Sequence, residues 1–177
     1  MTNTTVRRKL VTILDQAREI VRYYRVGPLK DIPAVSNGKL IEEAIRKVLL
    51  DNGIGPVPTY GVVDLAVVKW EVGIQVKTYR RKAGQLIFSR TSVGGSKADR
   101  IKDIYTRIKT SFDKTDTRRL LLLDMDVFSS NFELFDLAEL DARGKVVVKG
   151  SFLQPDHVQV TPNNTHFRIK KNGLMTI

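Results

Sequence analysis

The run of four consecutive leucines at residues 120–123 most strongly constrains how this chain can fold. With the next two residues it forms LLLLDM, whose continuous apolar character is typical of a central strand buried on both faces. The preceding helical pattern, over residues 98–112, places apolar side chains on one face: Ile101, Ile104, Tyr105, Ile108 and Phe112. The helix lies between an earlier predicted strand and the leucine run. This order predicts two strands joined by a crossover helix. We therefore expect an α/β fold with a mixed central β-sheet flanked by helices.

Two amphipathic helices are predicted upstream. Residues 5–24 repeat apolar side chains at alternating spacings of four and three: Val6, Leu10, Ile13, Ala17, Ile20 and Tyr24. Such a seam can pair with a second copy of the chain, although a helix of this length more often packs on its own domain. A second helix is predicted from near Ser36 or Asn37, both good N-caps, to the Asn52-Gly53 pair. Its core-facing stripe is Leu40, Ile41, Ala44, Ile45, Val48 and Leu49.

Several β-branched segments are predicted to be strands. VVDLAVVKW and GIQVKTYR, joined around residues 71–73, are typical of an antiparallel pair, and QLIFSR from Gln85 is a candidate third strand. NFELFDL, KVVVK and weaker signals around residues 157–160 and 167–170 predict further strands. These segments complete the expected secondary structure.

The length of 177 residues suits a single domain. We divide it into an N-terminal helical segment (1–35), an α/β core (36–127) and a β-rich C-terminal extension (128–177).

The charge balance favours a polyanionic partner. Thirty Lys and Arg residues against 19 Asp and Glu leave a formal net charge of +11, which makes nucleic acid the first candidate. The chain has no Cys, so disulfides, thiolate metal sites and cysteine nucleophiles are excluded. No apolar stretch reaches membrane-spanning length, so we expect no membrane contact and a cytoplasmic location.

A polar pair is expected on one face of the predicted strand IQVK. Because side chains alternate along a strand, Gln75 and Lys77 share one face while Ile74 and Val76 share the other. Asp64 stands eleven positions before Gln75, near the start of the preceding run. An antiparallel hairpin of this length can bring the three polar side chains together.

The second helix offers one acidic residue toward this group. At 100° per residue, Glu42 lies on the edge of the buried stripe, whereas Glu43 points away from it. Of these two carboxylates, only that of Glu42 is well placed to reach the sheet.

The succession GKLIE, VDLAVV and IQVK resembles the signature of the PD-(D/E)xK nuclease superfamily. In that family a helix Glu, a strand Asp and an (E/Q)xK triplet surround a divalent metal in a restriction-endonuclease-like core. Residues 38–77 are similar in layout to archaeal Holliday junction resolvases and to small type II restriction endonucleases, some of which have Gln at the first triplet position. Two departures are that Gln75 replaces the usual acid and Val63 stands where the family often has Pro.

The resemblance implies a catalytic site of Glu42, Asp64, Gln75 and Lys77. The Asp64 carboxylate, the Gln75 side-chain oxygen and the Val76 carbonyl form an oxygen-only set that suits Mg²⁺. Glu42 can supply the charge that Gln75 lacks, directly or through a water. Lys77 is expected to orient or help deprotonate the attacking water during phosphodiester hydrolysis.

The implied function is a Mg²⁺-dependent endonuclease acting on double-stranded DNA. A type II restriction endonuclease is the first expectation, because about 100 residues after Lys77 leave room for loops that recognise sequence. A Holliday junction resolvase is second and a homing or transposase-type nuclease is third. A homodimer is expected, since two symmetric sites suit the cutting of two strands. From a different class, a non-catalytic basic module that binds nucleic acid remains open.

A group of basic residues follows the predicted site along the chain. The proposed DNA contacts are Arg80, Arg81, Lys82, Arg90, Lys97 and Arg100. Asp124 and Asp126, after the leucines, are interpreted as ordinary polar residues at a strand end and are left out of the site.

Overall fold

The computed structural model describes residues 3–26, 34–77, 85–91, 96–125, 132–149, 158–160, 165–170 and 175–176. Side-chain environments are described for residues 4–24, 38–77, 96–125 and 132–149. Within the described residues, no helix combines the length and apolarity needed to cross a membrane.

Two helices open the chain, α1 (Asn3–Val26) and α2 (Ala34–Asp51). The second begins two or three residues before the predicted caps, so the prediction that Ser36 or Asn37 starts it was wrong. Its end is confirmed, because Gly53 adopts a left-handed backbone with φ of 67°. The amide of Ile54 donates to the Leu49 carbonyl at 2.8 Å, which satisfies a carbonyl of the last turn.

The apolar seam of α1 packs against α2, and four of its six predicted members are buried: Val6, Leu10, Ile13 and Ala17. Leu14 and Val21 are buried as well, whereas Tyr24 is exposed, so the prediction fails at the C-terminal end of the seam. A straight α-helix drifts by about 20° per heptad relative to a seven-residue repeat. After nearly three heptads this drift moves the buried face away from Tyr24.

The central sheet contains β1 (Leu65–Val67), β2 (Val72–Lys77), β4 (Arg119–Met125), β5 (Phe132–Leu140) and β6 (Val146–Val148) in the order β1-β2-β4-β5-β6. The pair β2 and β4 is parallel and the other neighbours are antiparallel. A short strand, β9 (Met175–Thr176), also pairs with β5. The predicted α/β fold with a mixed sheet and flanking helices is confirmed.

The first strand of the hairpin is shorter than predicted. After β1 the chain turns into a short 3-10 helix, Val68–Trp70, and Glu71 takes a left-handed conformation with φ of 56°. The predicted strand over residues 62–70 is therefore reduced to three residues, although its antiparallel pairing with β2 is confirmed.

The crossover between the parallel strands contains α3 (Lys97–Thr115). A capping box fixes its start: the Ser96 hydroxyl accepts from the Asp99 amide, and the Asp99 carboxylate accepts from the Ser96 amide. Ile104, Ile108 and Phe112 are buried as predicted, but Tyr105 is exposed, which corrects its assignment to the core face.

A separate three-stranded sheet has the order β3-β8-β7, from β3 (Gln85–Thr91), β7 (Val158–Val160) and β8 (Thr165–Lys170). The candidate third strand is therefore present, and it pairs with the distant β8. The C-terminal segment contributes strands to both sheets, since β5, β6 and β9 join the central one.

Two apolar cores lie on opposite faces of the central sheet. One joins α1 and α2 to side chains such as Ile74, Val76, Leu121 and Leu123. The other joins α3 to Ala66, Leu120, Leu122 and further residues of the sheet. Alternate residues of β2 and β4 therefore face different helical layers.

Candidate active site

The strand β2 presents its polar side chains toward α3. Ile74 and Val76 are buried in the core formed with α1 and α2, whereas Gln75 and Lys77 line a cavity on the opposite face. Gln75 is only 4% exposed. The predicted sharing of one face by Gln75 and Lys77 is confirmed.

Asp64 is anchored to the backbone of β2. Its amide donates to the Ile74 carbonyl at 3.0 Å, and its Oδ2 accepts from the Val76 amide at 2.7 Å. The register pairs Leu65 with Ile74, so Asp64 lies beside Gln75 one step further along the hairpin. The hairpin therefore brings Asp64, Gln75 and Lys77 together, as the sequence pattern predicts.

A second set of hydrogen bonds connects α2 to the backbone of Asp64. The Arg46 guanidinium donates to the Val57 carbonyl and, at 3.0 Å, to the Thr59 hydroxyl. That hydroxyl donates to the Asp64 carbonyl at 2.8 Å. The position of Asp64 is thus supported from both sides, by β2 and by the segment before β1.

The cavity has a volume of about 540 Å³ and lies between the hairpin and α3. The hairpin side supplies Asp64, Gln75 and Lys77. The remaining lining residues are Tyr60, Gly61, Val62, Thr106, Arg107, Thr110 and Ser111. The contribution of α3 was missed by sequence reasoning, which considered only the apolar face of this helix and the basic residues Lys97 and Arg100 near its start.

A close contact fastens the turn before Asp64 to α3. The Val62 amide donates to the Ser111 hydroxyl at 3.1 Å, and that hydroxyl donates to the Arg107 carbonyl at 2.7 Å. Gly61 has φ of 59°, and a Cβ at this position would stand 2.4 Å from Ser111 Oγ. Only glycine suits this turn, because a side chain would meet both backbone strain and a steric clash.

Glu42 approaches the site from the other helical layer. Its side chain is 17% exposed and its Oε2 accepts from Lys39 Nζ at 3.0 Å, whereas Glu43 is 55% exposed. The predicted difference in helix phase is confirmed. Glu42 does not line the cavity, but its charge acts on both Asp64 and Lys77.

The site shifts the pKa values of its two central ionisable groups. Burial raises the pKa of Asp64, and the Glu42 carboxylate adds to the increase, while the Val76 amide, Lys77 and Lys39 oppose it. Burial lowers the pKa of the Lys77 ammonium, against the attraction of Asp64 and Glu42. Both charged forms are therefore less favourable here than in water.

The donor atoms at this point suit a hard divalent cation. Val76 directs its amide to Asp64, and within a strand the carbonyl of a residue points to the same side as its amide. A carboxylate oxygen and a backbone carbonyl are therefore neighbours, with Gln75 beside them, and Mg²⁺ prefers such oxygens. Among the residues whose placement is described, no three acidic or imidazole side chains form a metal-binding group.

The predicted DNA-contacting residues have different environments. Lys97 is exposed at the first turn of α3, whereas Arg100 is only 8% exposed, so its side chain is not displayed on the surface. The side chain of Arg90 lies outside the described residues, as do Arg80, Arg81 and Lys82.

A further acidic residue stands near the end of the central strand. Asp124 is buried and pairs in register with Lys77. Asp126 lies outside the described residues.

Comparison with known proteins assigns no family. No family model, curated protein or solved structure matches the chain.

Proposed function

We propose that this protein is a Mg²⁺-dependent DNA endonuclease of the PD-(D/E)xK superfamily. The observation that carries this proposal is the 2.7 Å hydrogen bond from the Val76 amide to Asp64 Oδ2. It holds the carboxylate beside the Gln75–Lys77 segment, in a cavity large enough for part of a nucleic-acid strand. The order of α2, the antiparallel hairpin, α3 and the parallel β4 supports a restriction-endonuclease-like core.

The residues that would hold the metal are Asp64, the Val76 carbonyl and Gln75, with Glu42 contributing charge from α2. When bound, Mg²⁺ supplies positive charge that polarises the scissile phosphate and makes an adjacent water more acidic. The mutual repulsion of Glu42 and Asp64, which contributes to the raised pKa of Asp64, agrees with a site that is completed by a cation.

Lys77 is the proposed proton acceptor or water-positioning group. Its lowered pKa makes the neutral amine more accessible than that of an exposed lysine. The attacking water gives a proton to this amine while its oxygen bonds to phosphorus. The bond from phosphorus to the 3′ oxygen breaks, and that oxygen takes up a proton from solvent water, which leaves a 3′-hydroxyl and a 5′-phosphate. Lys77 then returns its proton to solvent. No covalent intermediate with the protein forms.

The proposed substrate is double-stranded DNA, cut at specific sites as by a type II restriction endonuclease. The formal charge of +11 supports a polyanionic substrate. We further propose a homodimer, because two copies of the site related by a two-fold axis can each cut one strand.

The decisive experiment incubates the purified protein with long unmethylated duplex DNA and, separately, with a synthetic four-way junction, each in Mg²⁺ and in EDTA. Discrete duplex fragments that appear only with Mg²⁺ support the restriction-type function. Cutting confined to the junction supports a resolvase instead. If both substrates are bound but stay intact with Mg²⁺, the nuclease proposal is wrong and the chain is a nucleic-acid-binding module.

A further inference from the structure

We propose that the α3 side of the cavity is a phosphate-binding wall in which Arg107, assisted by Thr110, holds a backbone phosphate of the DNA strand. This inference rests on the proposed function, since it assigns the part of the substrate that enters the cavity opposite Asp64. Nothing in the sequence pattern that suggested the metal site involves this helix.

The geometry of α3 places a cation and a hydroxyl on one surface of the cavity. Arg107 and Thr110 are three positions apart and both line it, so their side chains are neighbours on one helical face. The Arg107 side chain is 39% exposed and is therefore accessible to a ligand entering from solvent. Across the cavity lie Asp64, Gln75 and Lys77, so a strand in this space would contact both walls.

The Asp103 carboxylate lies beside the Arg107 guanidinium. Arg107 Nε lies 2.7 Å from Asp103 Oδ2, one helical turn earlier. The contact is an ion pair and not an aligned hydrogen bond, since Asp103 Oδ2 has no hydrogen-bond partner among the described residues, so an edge of the planar guanidinium with two N–H donors remains for a ligand. A guanidinium edge of this kind matches two oxygens of one phosphate, which a lysine ammonium cannot do in the same way.

The two walls divide the recognition chemistry. The hairpin presents the oxygen atoms that suit a cation, and α3 presents an arginine and a hydroxyl that suit an anion. A phosphodiester strand that carries a divalent cation matches both sides of the cavity, because the cation contacts the hairpin oxygens and a phosphate contacts α3. An uncharged ligand would match neither side. The cavity volume of about 540 Å³ falls in the usual range for pockets that hold small organic groups.

The test measures binding of a short mixed-sequence duplex in EDTA, where cleavage does not contribute, across a series of salt concentrations. Arg107→Gln is compared with Lys109→Gln, which removes the same charge from the same helix. Lys109 is a matched control because it too pairs with an acid four residues away, Asp113, yet it does not line the cavity. Its side chain, at 42%, is about as exposed as that of Arg107.

We expect Arg107→Gln to weaken binding roughly tenfold and to reduce the slope of log affinity against log salt by about one unit. Lys109→Gln should change either quantity much less. Thr110→Val, which keeps the shape of the side chain and removes its hydroxyl, should weaken binding by about threefold. It also tests the wall if Arg107→Gln does not fold.

Equal effects of Arg107→Gln and Lys109→Gln, or no effect of Arg107→Gln and Thr110→Val, would overturn the phosphate-binding wall. Such results would leave the nuclease proposal intact, because that proposal depends on Mg²⁺-dependent cleavage. Conversely, weaker DNA binding by Arg107→Gln and Thr110→Val, in a protein that does not cleave DNA with Mg²⁺, would support the phosphate-binding wall and reject the nuclease function.

Discussion

The two faces of β2 differ in what they contact, although they belong to the same six residues. Ile74 and Val76 enter an apolar core closed by α1 and α2. Gln75 and Lys77 enter a polar cavity, where burial shifts the pKa of Lys77 and, across the hairpin, of Asp64 away from their ordinary values. One face therefore stabilises the fold through apolar packing. The other face has polar side chains at buried or half-buried positions, where the charged form of Lys77 is less favourable than in water. Substitutions on the two faces should separate stability from activity.

The largest expected effect is that of Asp64→Asn on cleavage. The amide retains an oxygen that can accept from the Val76 amide, but it loses the charge proposed to bind Mg²⁺. We expect cleavage to fall by at least about a hundredfold, with DNA binding in EDTA largely retained. Gel assays of cleavage and binding measure the two quantities. Full cleavage by this variant would refute the assignment of the site.

The same substitution should make the protein more stable at neutral pH. Because the folded-state pKa of Asp64 is raised above its ordinary 3.8, the folded protein binds this proton more tightly than the unfolded chain. In the wild-type protein, the stabilisation that comes from protonated Asp64 is therefore fully present below pH 3.8. It is lost as the pH rises through the raised pKa of Asp64. We expect Asp64→Asn to raise the midpoint of thermal unfolding by about 2 °C above that range and not below it.

A substitution on the apolar face should have the opposite profile. Ile74→Ala removes a fully buried side chain and should lower the free energy of unfolding by about 3 kcal/mol. The folded fraction should still cleave DNA.

Gln75→Glu, on the adjacent residue, should retain cleavage because a carboxylate also offers an oxygen to Mg²⁺. Urea unfolding measures the stability of Ile74→Ala, and the cleavage assay measures the activity of both variants. A loss of cleavage in Gln75→Glu alone would reject the proposed role of Gln75.

The comparison of Glu42→Gln with Glu43→Gln tests the contribution of α2 to the site. Glu42 acts on the charges of Asp64 and Lys77, and its side chain is mostly buried, whereas Glu43 is largely exposed. We expect cleavage by Glu42→Gln to fall roughly tenfold and that by Glu43→Gln to stay near wild type. Both residues pair with Lys39, at 3.0 Å for Glu42 and 3.8 Å for Glu43, and Glu43 also pairs with Arg46 at 3.8 Å, so Glu43→Gln removes at least as many ion pairs as Glu42→Gln. A reversal of the two effects would contradict the site geometry.

Thr59→Val should reduce cleavage only when Mg²⁺ is scarce. The Thr59 hydroxyl joins Arg46 to the Asp64 carbonyl, and Thr59 itself does not line the cavity. We expect a reduction of about threefold to tenfold in cleavage at low Mg²⁺, with recovery at high Mg²⁺, because Asp64 would be held less firmly. A titration of the cleavage rate against Mg²⁺ measures this shift. A serine at the same position should restore the wild-type response, whereas a general loss of stability would not depend on Mg²⁺.

Sequence reasoning located the central part of the candidate site because its residues follow local rules. The alternation that unites Gln75 and Lys77 and the helix phase that separates Glu42 from Glu43 depend only on backbone geometry. The hairpin that adds Asp64 has a short connection, so its pairing was also predictable. The apolar runs similarly predicted the mixed sheet and the crossover helix.

Tertiary structure alone decided what lies across from that site. Val62 and Ser111 are 49 positions apart, and no local pattern predicts that their hydrogen bond fastens the turn before Asp64 to α3. The same is true of the support from Arg46 through Thr59, the pairing of β3 with β8 and the cavity wall that contains Arg107. The sequence determined the elements and the faces of each, because backbone periodicity is local. Which faces meet depends on packing among distant segments, so the second wall of the site became apparent only in the folded chain.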